Sequence, residues 1–165
     1  MNDISPVIIN DKWVLAQRSA KNHVNPQRPY DFFLDKERMP NGQVEDVATI
    51  FLTNKECPYC CLMCDLWKNT TDRRVSDGSI PMQIEWAINQ LPLAQHIKLY
   101  NSGNFFDGQA IPPADIPKIA ELLKIHKTVT IENHPKLVDE RCLAFKDLLH
   151  PDLHVAMGLE TVHPT

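Results

Sequence analysis

Residues 47–64 read VATIFLTNKECPYCCLMC, an apolar run that leads directly into a group of closely spaced cysteines. The first part of this stretch is continuously apolar and β-branched, which is typical of a strand buried on both faces of a sheet. The cysteines that follow have the spacing C-x3-C-x2-C at Cys57, Cys61 and Cys64. The stretch therefore predicts a buried strand whose carboxyl end carries a cysteine-rich loop.

From residue 47 onward, β-branched runs alternate with helical patterns. We predict strands at 47–53, 97–101, 128–132 and 153–159, and helices at 81–91, 115–124 and 138–149. Strands that alternate with helices indicate βαβ crossovers and a parallel sheet, and both an open doubly wound sheet and a barrel satisfy this pattern. Four such units do not close a barrel, so we expect the chain to be a fragment of a longer protein.

The residues before this alternation are polar and rich in proline. We predict an irregular N-terminal extension over residues 1–46, with at most a short helix around 13–21, and an α/β part over residues 47–165. The aromatic cluster that includes Tyr30 is interpreted as packing within the extension.

Composition narrows the class of protein. The chain has 165 residues, of which 43% are hydrophobic and 23% are charged, as in an ordinary globular domain. Its net charge of −4 argues against a general phosphate-binding surface. We find no secretory signal and no apolar stretch long enough to span a bilayer, so we expect no membrane partner and a cytoplasmic location.

The clustered cysteines indicate metal chemistry in a reducing compartment rather than a disulfide framework. Thiolates are soft ligands that suit iron–sulfur clusters or zinc. Three thiolates can hold three corners of a [4Fe-4S] cluster and leave the fourth iron open. Zinc prefers four ligands in two separated pairs, and this chain has no second pair, but a zinc-binding interaction module stays an alternative. Cys60 also offers a C-x2-C-x3-C spacing with Cys57 and Cys64.

The C-x3-C-x2-C spacing after a strand of a β/α chain resembles the signature of the radical S-adenosylmethionine superfamily. Residues 56–67, ECPYCCLMCDLW, are similar to the branch that includes the archaeosine synthase radical subunit and the elongator-like tRNA-modifying enzymes. The resemblance implies a parallel (β/α) partial TIM-type barrel, here truncated after about four of the βα units of that fold. It also implies that Cys57, Cys61 and Cys64 hold a [4Fe-4S] cluster, with Cys61 rather than Cys60 as the middle ligand.

The resemblance further implies which strand ends hold S-adenosylmethionine. After the second predicted strand, Ser102, Gly103 and Asn104 stand near the place of a Gly-Gly-Glu-type motif, although the usual glutamate is absent. The expected contacts after the third and fourth strands are Glu132 and Glu160. Met63 occupies the position of the signature's usual aromatic residue and is expected to pack on adenine.

The implied function is reductive cleavage of S-adenosylmethionine by the cluster to give a 5′-deoxyadenosyl radical, with a tRNA base as one candidate substrate. The implied partners are S-adenosylmethionine, tRNA and an electron donor such as flavodoxin or ferredoxin. We assign no catalytic residue beyond the cluster ligands. An inactive fragment that keeps the strands but cannot complete its site is the second alternative.

Overall fold

The computed structural model describes residues 8–158 of the chain, and five strands and four α-helices lie in that range. The strands are β1 (Asp31–Arg38), β2 (Val44–Phe51), β3 (His96–Tyr100), β4 (Thr128–Glu132) and β5 (Asp152–Ala156). The helices are α1 (Asp11–Gln17), α2 (Ser79–Ile88), α3 (Ile116–Leu123) and α4 (Glu140–Leu148).

The five strands form one sheet in which their spatial order is their order in the chain. β1 pairs antiparallel with β2, and the pairs β2–β3, β3–β4 and β4–β5 are all parallel. The predicted mixed α/β class with a mostly parallel sheet is therefore confirmed. The order shows no reversal of the kind that marks the switch point of a doubly wound sheet.

The hydrophobic core lies between one face of the sheet and helices α2, α3 and α4. Alternate strand residues such as Ile50, Leu99 and Ile131 are fully buried in it. They pack in one cluster with Ile84 of α2 and Leu123 of α3. Because right-handed crossovers between parallel neighbours place their helices on the same side, the opposite face of the sheet carries the more polar set of side chains. That set is His96, Lys98, Thr128, Thr130 and His154.

The prediction of an irregular extension over residues 1–46 is wrong for Asp31–Arg38, which forms β1. The turn after β1 places Gly42 at φ +84, and the amide of Met39 donates to the carbonyl of Gln43 at 2.8 Å. This is a hairpin with a short loop whose last residue is a glycine in the left-handed region. The short helix expected around residues 13–21 is found slightly earlier, as α1.

The predicted element boundaries hold to within a few residues. β4 coincides with its predicted range, whereas β2 begins earlier than predicted because it pairs with β1 along its whole length. Helix α2 begins at Ser79, and its first turn is capped by Asp115, whose carboxylate accepts from the amides of Gly78 at 2.6 Å and Ile80 at 3.3 Å. Within residues 8–158, none of the helices combines the length and the apolar character that crossing a bilayer requires.

Candidate functional site

A cavity of about 380 Å³ lies at the carboxyl end of the parallel strands, where such folds place their ligands. Its lining includes Cys57, Cys61 and Cys64 from the loop after β2. The turn after β3 and the end of β4 complete the wall. The cysteine loop, which is far from these segments in the sequence, therefore faces them across one cavity.

The predicted contact residues within the described range line this same cavity. Those from the strand ends are Ser102, Gly103, Asn104 and Glu132. Met63 also lines it, but its side chain is 77% exposed, so it forms part of the rim rather than the floor. The prediction for Glu160 lies outside the described residues.

The cysteines of the loop are all free thiols. Cys57 is half-buried, and this burial raises the pKa of its thiol, with smaller contributions in the same direction from Cys61 and Cys64. Cys61 is exposed and lines the cavity, whereas Cys60 is not among its lining residues.

The thiols do not converge on a single point. Among residues 8–158, no three side chains of the His, Cys, Asp or Glu type lie close enough together to hold one metal ion. A tetrahedral zinc site needs its thiolate sulfurs about 2.3 Å from the same ion. A [4Fe-4S] cluster instead takes its thiolates at separate corners. In residues 8–158 the three thiols therefore line one cavity without being gathered as the ligands of a single ion.

The turn after β3 approaches the cysteine loop closely. A Cβ built on Gly103 would lie 3.2 Å from the Cβ of Cys57, a tighter contact than ordinary packing allows. The preceding residue, Ser102, has φ +50, a left-handed conformation that non-glycine residues rarely adopt. Strained backbone of this kind is concentrated at functional sites. At Gly103 the turn thus brings its backbone directly against Cys57.

Glu132 ends β4 and points into the site. Its carboxyl group is half-buried, and this burial raises its pKa. A desolvated carboxylate gains from hydrogen-bond donors or a cation supplied by a ligand. Glu132 is therefore suited to hold hydroxyl or ammonium groups of a bound molecule.

A second cavity of about 380 Å³ adjoins the first and opens onto the polar face of the sheet. The two cavities share Ser102 and Glu132. The aromatic rings of Tyr30, Phe51 and Tyr100 form a wall of the second cavity. The ring centroid of Phe51 lies 5.5 Å from that of Tyr30 and 5.6 Å from that of Tyr100. Sequence reasoning had assigned Tyr30 to packing and so missed this wall.

Tyr30 also contacts the strained turn after β3. Its hydroxyl lies 3.3 Å from that of Ser102, and burial raises the pKa of the Tyr30 phenol. The two residues are 72 positions apart in the sequence, and no local pattern relates them. The segment before β1 therefore contributes to the site instead of lying apart from it.

The N-terminal segment is held against the cysteine loop by ionic contacts. Glu56, the residue before Cys57, forms ion pairs with Arg18 and, at 2.7 Å, with Lys21. The guanidinium of Arg18 also lies over the ring of Trp67, 4.9 Å from its centroid. These contacts hold the start of the cysteine loop against the N-terminal segment.

Comparisons with protein-family models, with curated proteins and with solved structures found no match to this chain. The family resemblance of the cysteine loop accordingly stays a prediction that rests on the residues themselves.

Proposed function

We propose that this chain is a radical S-adenosylmethionine enzyme that binds a [4Fe-4S] cluster. The observation that supports this most directly is the shared cavity. It brings the three cysteines of the C-x3-C-x2-C spacing against Ser102 and Glu132, at the carboxyl ends of neighbouring parallel strands. Chain-distant segments meet there with the donor types that a cluster and a small polar ligand require.

The strand order supports the barrel interpretation within this proposal. Successive parallel strands lie side by side with their helices on one face, as in the wall of a (β/α) barrel. The polar face of the sheet would then be the interior of that barrel. The aromatic cavity beside the cysteine cavity offers room there for a substrate, for which a tRNA base is our candidate.

In this proposal Cys57, Cys61 and Cys64 hold the [4Fe-4S] cluster, and Glu132 accepts hydrogen bonds from S-adenosylmethionine. When bound, the cluster supplies the electron that splits a carbon–sulfur bond of S-adenosylmethionine and yields a 5′-deoxyadenosyl radical for hydrogen abstraction. Gly103 keeps the turn after β3 close to Cys57, and Met63 covers the outer rim. A flavodoxin or ferredoxin in the cytoplasm would supply the electron, and the free thiols fit such a reducing compartment.

Anaerobic reconstitution with iron and sulfide tests the metal part of this proposal. We expect close to four iron and four sulfide per chain and the brown absorption of a cluster. Cys57→Ala, Cys61→Ala and Cys64→Ala should each lose most of the iron. Cys60→Ala is the matched control, since Cys60 is not part of the cavity wall, and it should retain the iron.

Assaying the reconstituted chain for 5′-deoxyadenosine, with S-adenosylmethionine and dithionite, tests the reaction. Formation of this product by the wild-type chain, and not by Cys61→Ala, supports the proposal. A colourless chain with stoichiometric zinc would overturn it in favour of a zinc-binding module. A chain that holds the cluster but releases no 5′-deoxyadenosine would instead be an inactive fragment.

A further inference from the structure

The side chain of Asn104 bridges the cysteine loop and the end of β4. Its Nδ2 lies 3.7 Å from the sulfur of Cys57, and its Oδ1 accepts a hydrogen bond from the backbone amide of His134 at 2.6 Å. Asn104 is 3% exposed, so water does not compete effectively for either contact. One buried amide therefore connects a cysteine to a fixed backbone group on another strand end.

The orientation of this amide follows from its partners. The backbone N–H of His134 can only donate, so the oxygen of Asn104 must face it. The NH₂ group is then the end that faces Cys57, and it can only donate. A flipped amide would place two N–H groups against each other at His134 and would leave a buried donor unsatisfied.

Neighbouring hydrogen bonds hold the same two turns together. The amide of Phe105 donates to the carbonyl of Glu132 at 2.9 Å. The amide of Phe106 donates to Oδ1 of Asn133 at 3.2 Å. Asn104 is thus fixed on both sides, and its N–H is preorganised toward the sulfur.

We propose that Asn104 sets the reduction potential of the metal cluster by donating a hydrogen bond to the sulfur of Cys57. This inference rests on the proposed function, in which Cys57 is a cluster ligand. Hydrogen bonds to ligand sulfurs stabilise the additional negative charge of a reduced cluster and so raise its potential. Asn104 acts in this way as a positioning residue for Cys57, a role distinct from contact with S-adenosylmethionine.

Redox titration of reconstituted variants tests the inference. Asn104→Ala removes the donor without adding charge, and Asn104→Asp keeps the shape and the acceptor for His134 but presents an oxygen to the sulfur. At one poised potential we expect the ratio of reduced to oxidised cluster to fall roughly tenfold in Asn104→Ala, equivalent to about 59 mV for a one-electron couple. In Asn104→Asp the ratio of reduced to oxidised cluster should fall further, because the variant adds a negative charge beside the ligand.

Asn133 provides the matched controls. It is 2% exposed, lines the same cavity and accepts from the amide of Phe106, while its Nδ2 donates to the carbonyl of His134 at 3.2 Å rather than to a sulfur. Asn133→Ala should leave the reduced-to-oxidised ratio within about twofold of wild type, since hydrogen bonds to the sulfurs set the potential. Asn133→Asp should lower it less than Asn104→Asp does.

A measurement on the wild-type chain avoids any loss of folding in the variants. With ¹⁵N-labelled asparagine, pulsed electron paramagnetic resonance of the reduced cluster should detect an asparagine nitrogen coupled to the cluster. Absence of that coupling, or equal potentials in the Asn104 and Asn133 alanine variants, overturns the inference while leaving the cluster assignment intact. A wild-type chain that binds no cluster overturns the proposed function and this inference together.

Discussion

Gly103 lies against Cys57 so closely that a Cβ at residue 103 would sit 3.2 Å from the Cβ of Cys57. The φ angle of Gly103 is not in the left-handed region, so alanine can adopt this backbone, and the cost of substitution is steric. We expect Gly103→Ala to push the turn after β3 away from the cysteine loop. Iron uptake on anaerobic reconstitution should fall by at least half, since ligands displaced by a fraction of an ångström lose their binding geometry.

Gly108 supplies the control for this substitution. A Cβ built there would meet the ring of Pro113 at 3.3 Å, a contact as tight as the one at Gly103 but away from the cysteines. Gly108→Ala should therefore cost similar stability without reducing iron uptake. Equal iron content in the two variants would show that the approach of Gly103 to Cys57 does not matter for metal binding.

The second prediction concerns the ion pairs of Glu56, at the start of the cysteine loop, and their effect on stability. The side chain of Arg18 is 11% exposed and pairs with Glu56, so removing that carboxylate leaves a largely buried cation without its partner. We expect Glu56→Gln to lower the free energy of unfolding by about 1–3 kcal/mol. Urea denaturation of the metal-free chain, followed by circular dichroism, measures this loss.

Asp72 allows a direct comparison because it pairs with the same lysine as Glu56. The amine of Lys21 lies 2.7 Å from a carboxylate oxygen of each residue. Asp72 is 86% exposed, and pairs at such positions contribute little. Asp72→Asn should therefore leave the urea midpoint almost unchanged. A loss equal to that of Glu56→Gln would contradict the stabilising role that we give to the buried ion pair of Glu56 with Arg18.

Much of the sheet could be predicted because its parallel strands are short segments with buried apolar residues, and helical patterns alternate with them along the chain. Thr128–Glu132 is bounded by a helix before it and a polar turn after it, and its predicted range matches β4. Asp31–Arg38 was missed because its half-buried residues alternate with charged ones on an edge strand, where one side faces solvent. The Asn41-Gly42 pair before the next apolar run was the available hairpin signal.

The site residues that follow from their position relative to a strand could be predicted from the sequence. The contacts that depend on tertiary packing could not. Residues at, or a few positions after, the carboxyl ends of neighbouring parallel strands gather at one edge of the sheet, which is why Cys57, Ser102 and Glu132 share a cavity. The contact of Tyr30 with Ser102, and that of Asn104 with Cys57, depend on how distant turns pack. Neither spacing nor composition carries that information.

The cap of α2 gives a prediction about stability. Asp115 is 3% exposed, and its carboxylate accepts from two backbone amides at the start of that helix. Asp115→Ala removes the partner of both amides and leaves the buried amide of Ile80 unpaired, so we expect a loss of about 1–2 kcal/mol in the free energy of unfolding. Asp139→Ala removes the exposed cap of α4 and should cost less. If urea denaturation gave similar losses for the two variants, burial of the cap would make no additional contribution to stability.

His126 should make the stability of the chain depend on pH. It is 7% exposed, its Nδ1 donates to the carbonyl of Ala94 at 2.9 Å, and burial lowers the pKa of its imidazole. The unfolded chain therefore binds a proton more readily than the folded one once the pH falls below about 6.5. The contribution of His126 to stability is fully present above that pH and is lost as the pH falls below it.

His126→Asn tests this dependence, because its amide nitrogen can still donate to Ala94 but cannot take up a proton. As the pH is lowered from about 7.5 to about 5.5, the free energy of unfolding of the wild-type chain should fall more steeply than that of the variant. The difference in slope should reach up to about 1.4 kcal/mol per pH unit. The rest of the chain is the same in both proteins, so the difference between the wild type and His126→Asn isolates this one imidazole. Parallel curves for the two would mean that His126 gains a proton as easily in the folded chain as in the unfolded one.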